Sequence, residues 1–179
     1  PEVPKGVEQK DILSGMYLYR EFQTNSELDK SSLDLTVNLF GSGPIMKQVL
    51  EAAEILLNKG IASKVWSVTS YGELRRDAME SEDWNRRHPT KERHSNRIQE
   101  QLGNSVPVTI AVSDNIAAIP DLIRPWVSGN FHVLGTDGFG RSDTRESLRR
   151  FYGIDSDSIV LYTLSALVRS HHSMPTVLE

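Results

Sequence analysis

From Leu35 onward, short runs rich in β-branched and aromatic residues alternate with longer segments whose apolar positions recur at helical spacing. That alternation limits the fold more than any other feature. A strand–helix–strand connection returns the chain in the same direction, so it builds a mainly parallel sheet with both faces covered by helices. The run Leu35 to Phe40 reads as a strand stopped by Gly41-Ser42-Gly43-Pro44. A helix follows from Pro44, with Ile45, Val49, Ala52, Ala53, Leu56 and Leu57 on its apolar face and Asn58-Lys59-Gly60 at its end. The pattern repeats with strands at Lys64–Thr69, Val106–Val112 and Phe131–Gly135. Between and after them, helices are expected over Tyr71–Ser81, Ser95–Leu102, Asn115–Val127, Thr144–Tyr152 and Ser156–Ser170. Asp155 and Asp157 are placed to cap the last of these. Tyr17 to Gln23 alternates loosely and reads as an edge strand, and Thr24 to Asp34 as a polar loop. The total is one early edge strand plus four strand–helix units.

Composition narrows the function classes. With 38% hydrophobic and 25% charged residues, the chain is an ordinary globular sequence rather than a disordered one. A net charge of −4 gives no footprint for nucleic acid, which needs clustered Lys and Arg. The longest basic cluster, Arg86-Arg87-His88 with Lys91, Arg93 and His94, is interspersed with Glu80, Glu82, Asp83 and Glu92 and reads as a solvated segment. There is no cysteine, which removes disulfides, thiolate catalysis and Cys-based zinc sites and suits a cytoplasmic location. No apolar stretch approaches the roughly 20 residues that span a bilayer. The start Pro1-Glu2-Val3-Pro4 is not a signal peptide and reads as a chain cut from something longer. Residues 1–16 look like an incoming connector, 17–170 the domain, and 171–179 a tail.

Several residues carry candidate chemistry. Gly41-Ser42-Gly43 lies between a strand and a helix, where an open sheet binds ligands and a helix start attracts anions. A dinucleotide fingerprint needs a further Gly where Met46 stands, and no Gly-Lys-Ser/Thr end makes a phosphate loop. The tight turn of a strand–helix unit accounts for these glycines, with an anion site as the alternative. The run Gly135 to Asp143 is the densest in punctuating residues. Its Asp137, Arg141, Ser142 and Asp143 suggest either a structured loop with Ser142 or Asp143 as a helix cap, or a contact loop that docks a neighbour. Asp114 and Asp121 sit near a strand end, and Asp114 is placed as a cap. His88, His94, His132, His171 and His172 lack metal-ligand spacing, and His132 is expected to be packed or hydrogen bonded within its strand. No Gly-x-Ser-x-Gly elbow supports a hydrolase. Catalytic, cofactor-binding and metal residues are therefore all expected to be absent.

Several stretches together resemble one family. They are Leu39 to Ile45, Glu51 to Leu56, Val65 to Asp77, Trp84-Asn85 with His88-Pro89, and above all Val133 to Asp143 with Arg145-Glu146. Gly6-Val7-Glu8 and Gly15-Met16-Tyr17 extend the likeness into the connector, so that it covers about residue 2 to Ser170. The chain resembles the C-terminal domain of the homodimeric bacterial pyruvate dehydrogenases, the decarboxylating first components of their complex. The resemblance implies a transketolase C-terminal fold: a three-layer α/β/α sandwich on a five-stranded mixed sheet with one antiparallel strand. It implies parent chemistry on thiamine diphosphate and magnesium, held between other domains, with acetyl transfer to lipoyl groups. The Gly-Asp-Gly start of that family's diphosphate–magnesium motif is missing here, so no cofactor residue carries over. The implied partners are the other domains, the second subunit of a homodimer and the dihydrolipoyl transacetylase. The end from Met174 to Glu179 departs from the family pattern. A stand-alone module holding a small anion or nucleotide at the strand-end loops is the alternative. A transketolase is a third, against which Gly138 to Asp143 argues.

Overall fold

A computed structural model of the chain describes residues 2–24, 36–103 and 108–170. The loop expected up to Asp34 (beyond Thr24), the strand starts Leu35 and Val106-Pro107, and the tail with His171 and His172 lie outside these residues. A short helix α1 (Gln9–Leu13) precedes strand β1 (Met16–Phe22). Then come β2 (Thr36–Gly41), α2 (Met46–Asn58), β3 (Ala62–Val68), α3 (Tyr71–Arg87) and α4 (Arg97–Leu102). The chain continues through β4 (Val108–Val112), α5 (Ala118–Asp121), β5 (Asn130–Leu134), α6 (Arg145–Tyr152) and α7 (Ser156–Ser170). The sheet is five-stranded in the order β1-β3-β2-β4-β5. Only β1 runs antiparallel, against β3, and it sits at an edge. The mixed α/β sheet read from the sequence is the one observed.

Apolar side chains divide by strand parity into two layers. Val37, Leu39, Val65, Val108 and Ile110 pack with α2 and α7 on one face. Phe40, Trp66, Val68 and Ala111 pack on the other with Tyr71 and Leu74 of α3, Ile98 of α4 and Ile123. The central strands β2 and β4 are therefore buried on both faces, which suits their near-continuous apolar runs.

A polar cluster lies inside this core. Asn38 on β2 sits opposite Thr109 of β4 and opposite Lys64 of β3, two residues along β3 from Trp66. Trp66 Nε1–H donates to Asn38 Oδ1 (2.9 Å), and Asn38 Nδ2 donates to Thr109 Oγ1 (3.4 Å). The three side chains satisfy one another across three adjacent strands, as burial requires.

Two helix expectations change. The first helix after β3 does not stop at Ser81 but runs to Arg87. Its last turns are polar, so apolar period alone does not reveal them. Ion pairs from Asp83 to Arg86 and Arg87, and a bond from Trp126 Nε1–H to Glu82 Oε1 (2.7 Å), hold them. The segment Asn115–Val127 is not one helix. It is the single turn α5 followed by a 3₁₀ turn at Arg124–Trp126. Pro120 and Pro125 each lack an N–H and disfavour helical backbone at the preceding residue, which breaks the run.

Residues before β1 are fastened to the body. Arg97 Nη2 donates to Asp11 Oδ1 (3.0 Å) and to the Met16 carbonyl (3.2 Å), while the Thr69 hydroxyl donates to the Ile12 carbonyl (2.6 Å).

Replacing Asn38 by Ala is expected to destabilise the fold by about 1–3 kcal/mol, because the Trp66 indole N–H is left buried without a partner. Urea unfolding measures this. The cost should shrink in a Trp66→Phe background; an undiminished cost would contradict the assignment.

Candidate functional site

The strand order places a topological switch between β2 and β4. The chain leaves β2 through α2 toward β3 on one side, and leaves β4 toward β5 on the other. The carboxyl ends of these two strands therefore open a crevice, the usual ligand position in open α/β sheets. Ser42 follows β2 and Ser113 follows β4, and Ser42 Oγ–H donates to Ser113 Oγ (3.3 Å) across the opening. Ser113 Oγ also accepts from the Asn115 N–H (3.1 Å). A cavity of 510 Å³ lies over this point, lined by Tyr17, Tyr19, Ser42, Gly43, Thr69 and Asp114 among others. A second cleft of 420 Å³ adjoins it, where Asp114 and Pro44 meet Thr136, Arg141, Arg145, Arg149 and Tyr152. Asp114 borders both.

The two glycines of the first candidate loop do different work. A Cβ at Gly41 would lie 2.6 Å from Met46 Sδ and 3.1 Å from Val49 Cγ2, so Gly41 lets α2 pack down on its own strand. Gly43 has φ +55° and open space where a side chain would go. The turn reading of Gly41 thus has a packing cause, while Ser42 and Gly43 face the crevice.

The second loop is tied to the first half of the site rather than swinging free. A Cβ at Gly135 would sit 2.5 Å from Ala117 N and 2.8 Å from the Asn115 carbonyl, so only glycine permits this approach. The Thr136 N–H donates to Asn115 O (2.9 Å) and its hydroxyl to Asp114 O (3.0 Å). Asp137 Oδ1 accepts from the Ala117 N–H (3.1 Å). Asp143 Oδ1 accepts from the N–H of its neighbour Thr144 (2.7 Å). Neither aspartate pairs with Arg141, whose guanidinium carbon lies 3.9 Å from the centre of the Phe151 ring. The Tyr152 hydroxyl donates to the Phe139 carbonyl (2.8 Å) and holds the loop tip against α6.

Three capping expectations are resolved. The cap of α6 is Thr144, whose hydroxyl accepts from the Ser147 N–H (3.3 Å), and neither Ser142 nor Asp143 caps it. Asp114 caps nothing, since the residue before α5 is Ala117, and Asp121 pairs with Arg124 (2.5 Å). Asp155 does cap α7, accepting from the Ser158 N–H (3.3 Å).

The structure therefore brings Ser42, Gly43 and Asp114 to one crevice, and Arg141 to the adjoining cleft. Gly41 lies buried beneath, while Ser142 and Asp143 line neither opening. In the sequence Arg145 stands out only through the family resemblance and Arg149 not at all, although their four-residue spacing puts both on one side of a helix. His132 on β5 is half-buried; desolvation, with Arg124 and Arg169 nearby, holds its imidazole below the usual range. Among the described residues, no three His, Asp or Glu side chains gather as a metal site requires.

Comparison with known proteins adds to this geometry. Residues 15–155 match the family described as the transketolase-like TK C-terminal domain. The chain is 44% identical over 169 residues to a protein of Pseudomonas aeruginosa named pyruvate dehydrogenase E1 component, covering 93% of this chain and 18% of that one. A protein of the same name from Mycobacterium tuberculosis is 38% identical, covering 99% of this chain and again 18% of the relative. The chain thus spans under a fifth of these curated relatives. Among solved structures, the transketolase of Leishmania mexicana superposes with a TM-score of 0.60 at 18% identity, over 96% of this chain and 20% of that one. A split-gene transketolase, described as an inactive β4 tetramer, gives 0.58 at 15% identity, over 96% of this chain and 48% of that one.

Two glycines of the second loop should respond differently to alanine. Gly135→Ala is expected to cost about 1–3 kcal/mol by overpacking against backbone. Gly140→Ala, with nothing within 4 Å of its added carbon, should stay within about 0.5 kcal/mol of the parent. Equal losses in thermal or urea unfolding would contradict the packing role given to Gly135.

Proposed function

Because the chain belongs to the transketolase-like C-terminal domain family, we propose that it is the C-terminal domain of a thiamine diphosphate-dependent pyruvate dehydrogenase. That enzyme decarboxylates pyruvate and passes the acetyl unit to lipoyl groups, and this domain contributes architecture rather than chemistry. The observation that carries the reading is 35–44% identity to pyruvate dehydrogenase E1 components over nearly the whole chain. The strand-end carboxylates are engaged by backbone: Asp137 by Ala117 and Asp143 by Thr144. That leaves Asp114 as the carboxylate facing the openings, which is too little to hold a magnesium–diphosphate group. The residues here do not fit the cofactor, and no step is routed through it. In the parent enzyme the cofactor carries the hard chemistry, and the other domains position it.

On this reading residues 1–16 connect to the preceding domain, 17–170 form the functional unit, and 171–179 are a tail. The partners are the other domains of the same enzyme, the second subunit of a homodimer and the dihydrolipoyl transacetylase, all in the cytoplasm. No helix among the described residues is long and apolar enough to cross a membrane. The neighbour described as an inactive tetramer, about half of which this chain matches, is consistent with an accessory role.

A second reading rests on the crevice at Ser42 and Gly43, where a small anion or nucleotide would meet the switch point. A thermal-shift screen with phosphates and nucleotides tests it, and no shift counts against it.

The purified chain is expected to show no pyruvate decarboxylation with thiamine diphosphate and magnesium supplied. Measurable turnover would contradict the accessory role.

A further inference from the structure

We propose that the loop from Gly138 to Asp143 and the adjoining side of α6 form the surface on which the rest of the parent polypeptide docks. The inference rests on the reading of the chain as one domain of a longer enzyme. It adds which face is covered and what chemistry covers it.

Phe139 is 97% exposed, the largest exposure among the large apolar side chains of the described residues, and Phe151 on α6 is 55% exposed. An aromatic in water at the tip of a glycine-flanked loop gains nothing within this chain. Yet the loop is held in place. Tyr152 binds the Phe139 carbonyl, and Arg141 stacks on Phe151. The side chain is thus presented on a tied scaffold, which lowers the entropy lost when a partner covers it.

The charges point the same way. Asp137, just before the loop, and Asp143, at its end, each accept a hydrogen bond from a backbone N–H and pair with none of these arginines. Arg141, Arg145 and Arg149 line one cleft, and none has a carboxylate within ion-pair distance among the described residues. Exposed aromatics on the same loop and helix as arginines without a carboxylate partner are the composition of an interface centre. Its complement is a protein surface bearing carboxylates around an apolar pocket. Relatives whose matched region is 18% of their length carry the remaining bulk from which that surface comes. A small anion in the cleft would account for the arginines but leave Phe139 exposed.

Hydrogen exchange tests this on the full-length polypeptide and on the 179-residue chain. Amides from 138 to 152 should exchange at least about tenfold more slowly in the full-length protein. Phe139→Ala with Arg145→Glu should abolish that protection while leaving the melting temperature of the 179-residue chain unchanged. Protection confined to another exposed patch, such as Leu161-Tyr162 on α7, would overturn this surface yet leave the domain reading intact. Absence of protection on every face would overturn both. Equal protection of 138–152 in the short chain by inorganic phosphate would assign the cleft to a small anion. Protection that rises with concentration of the short chain would assign it to a second copy. Either result overturns the proposal.

Discussion

Burial of β2 and β4 on both faces governs everything else in this molecule. Helices must cover each face, so neither face is left for a ligand. Among the polar groups caught between the layers, Trp66, Asn38 and Thr109 satisfy one another across three strands. Function is left to the strand ends and the loops that leave them. There the switch in chain direction between β2 and β4 opens the only kind of crevice such a sheet offers.

The sheet was legible because its signal is local. Strand runs, turn glycines and the apolar period of α2 each occupy a few consecutive residues, and each predicts its own element. The end of α3 was not legible, because Asp83, Arg86 and Arg87 stabilise it through charge and Trp126 through a contact 44 residues away. The break at 115–127 is written in Pro120 and Pro125, each of which denies the helix a backbone donor.

The candidate site shows the same division. That Gly41 and Gly135 mattered was readable; why they mattered was not. One accommodates Met46 and Val49, the other the backbone of Ala117, and neither neighbour is visible from local sequence. Asp137 looked like a group free for binding. It instead spends its charge on an N–H 20 residues earlier in the chain. Arg145 and Arg149 had a readable spacing, yet only the fold of the loop against α6 brings Arg141 beside them.

Asp137 and Asp143 are engaged by backbone N–H groups, while Arg141, Arg145 and Arg149 have no carboxylate within ion-pair distance among the described residues. A thiamine diphosphate site needs carboxylate and amide ligands for its metal; at these strand ends the exposed Asp137 and Asp143 instead accept from backbone N–H groups. The most direct test is calorimetric titration of the chain with thiamine diphosphate and magnesium. The account predicts no heat of binding. Saturable binding would mean that a loop described here as structural holds the cofactor, and that the division of labour between domains is wrong.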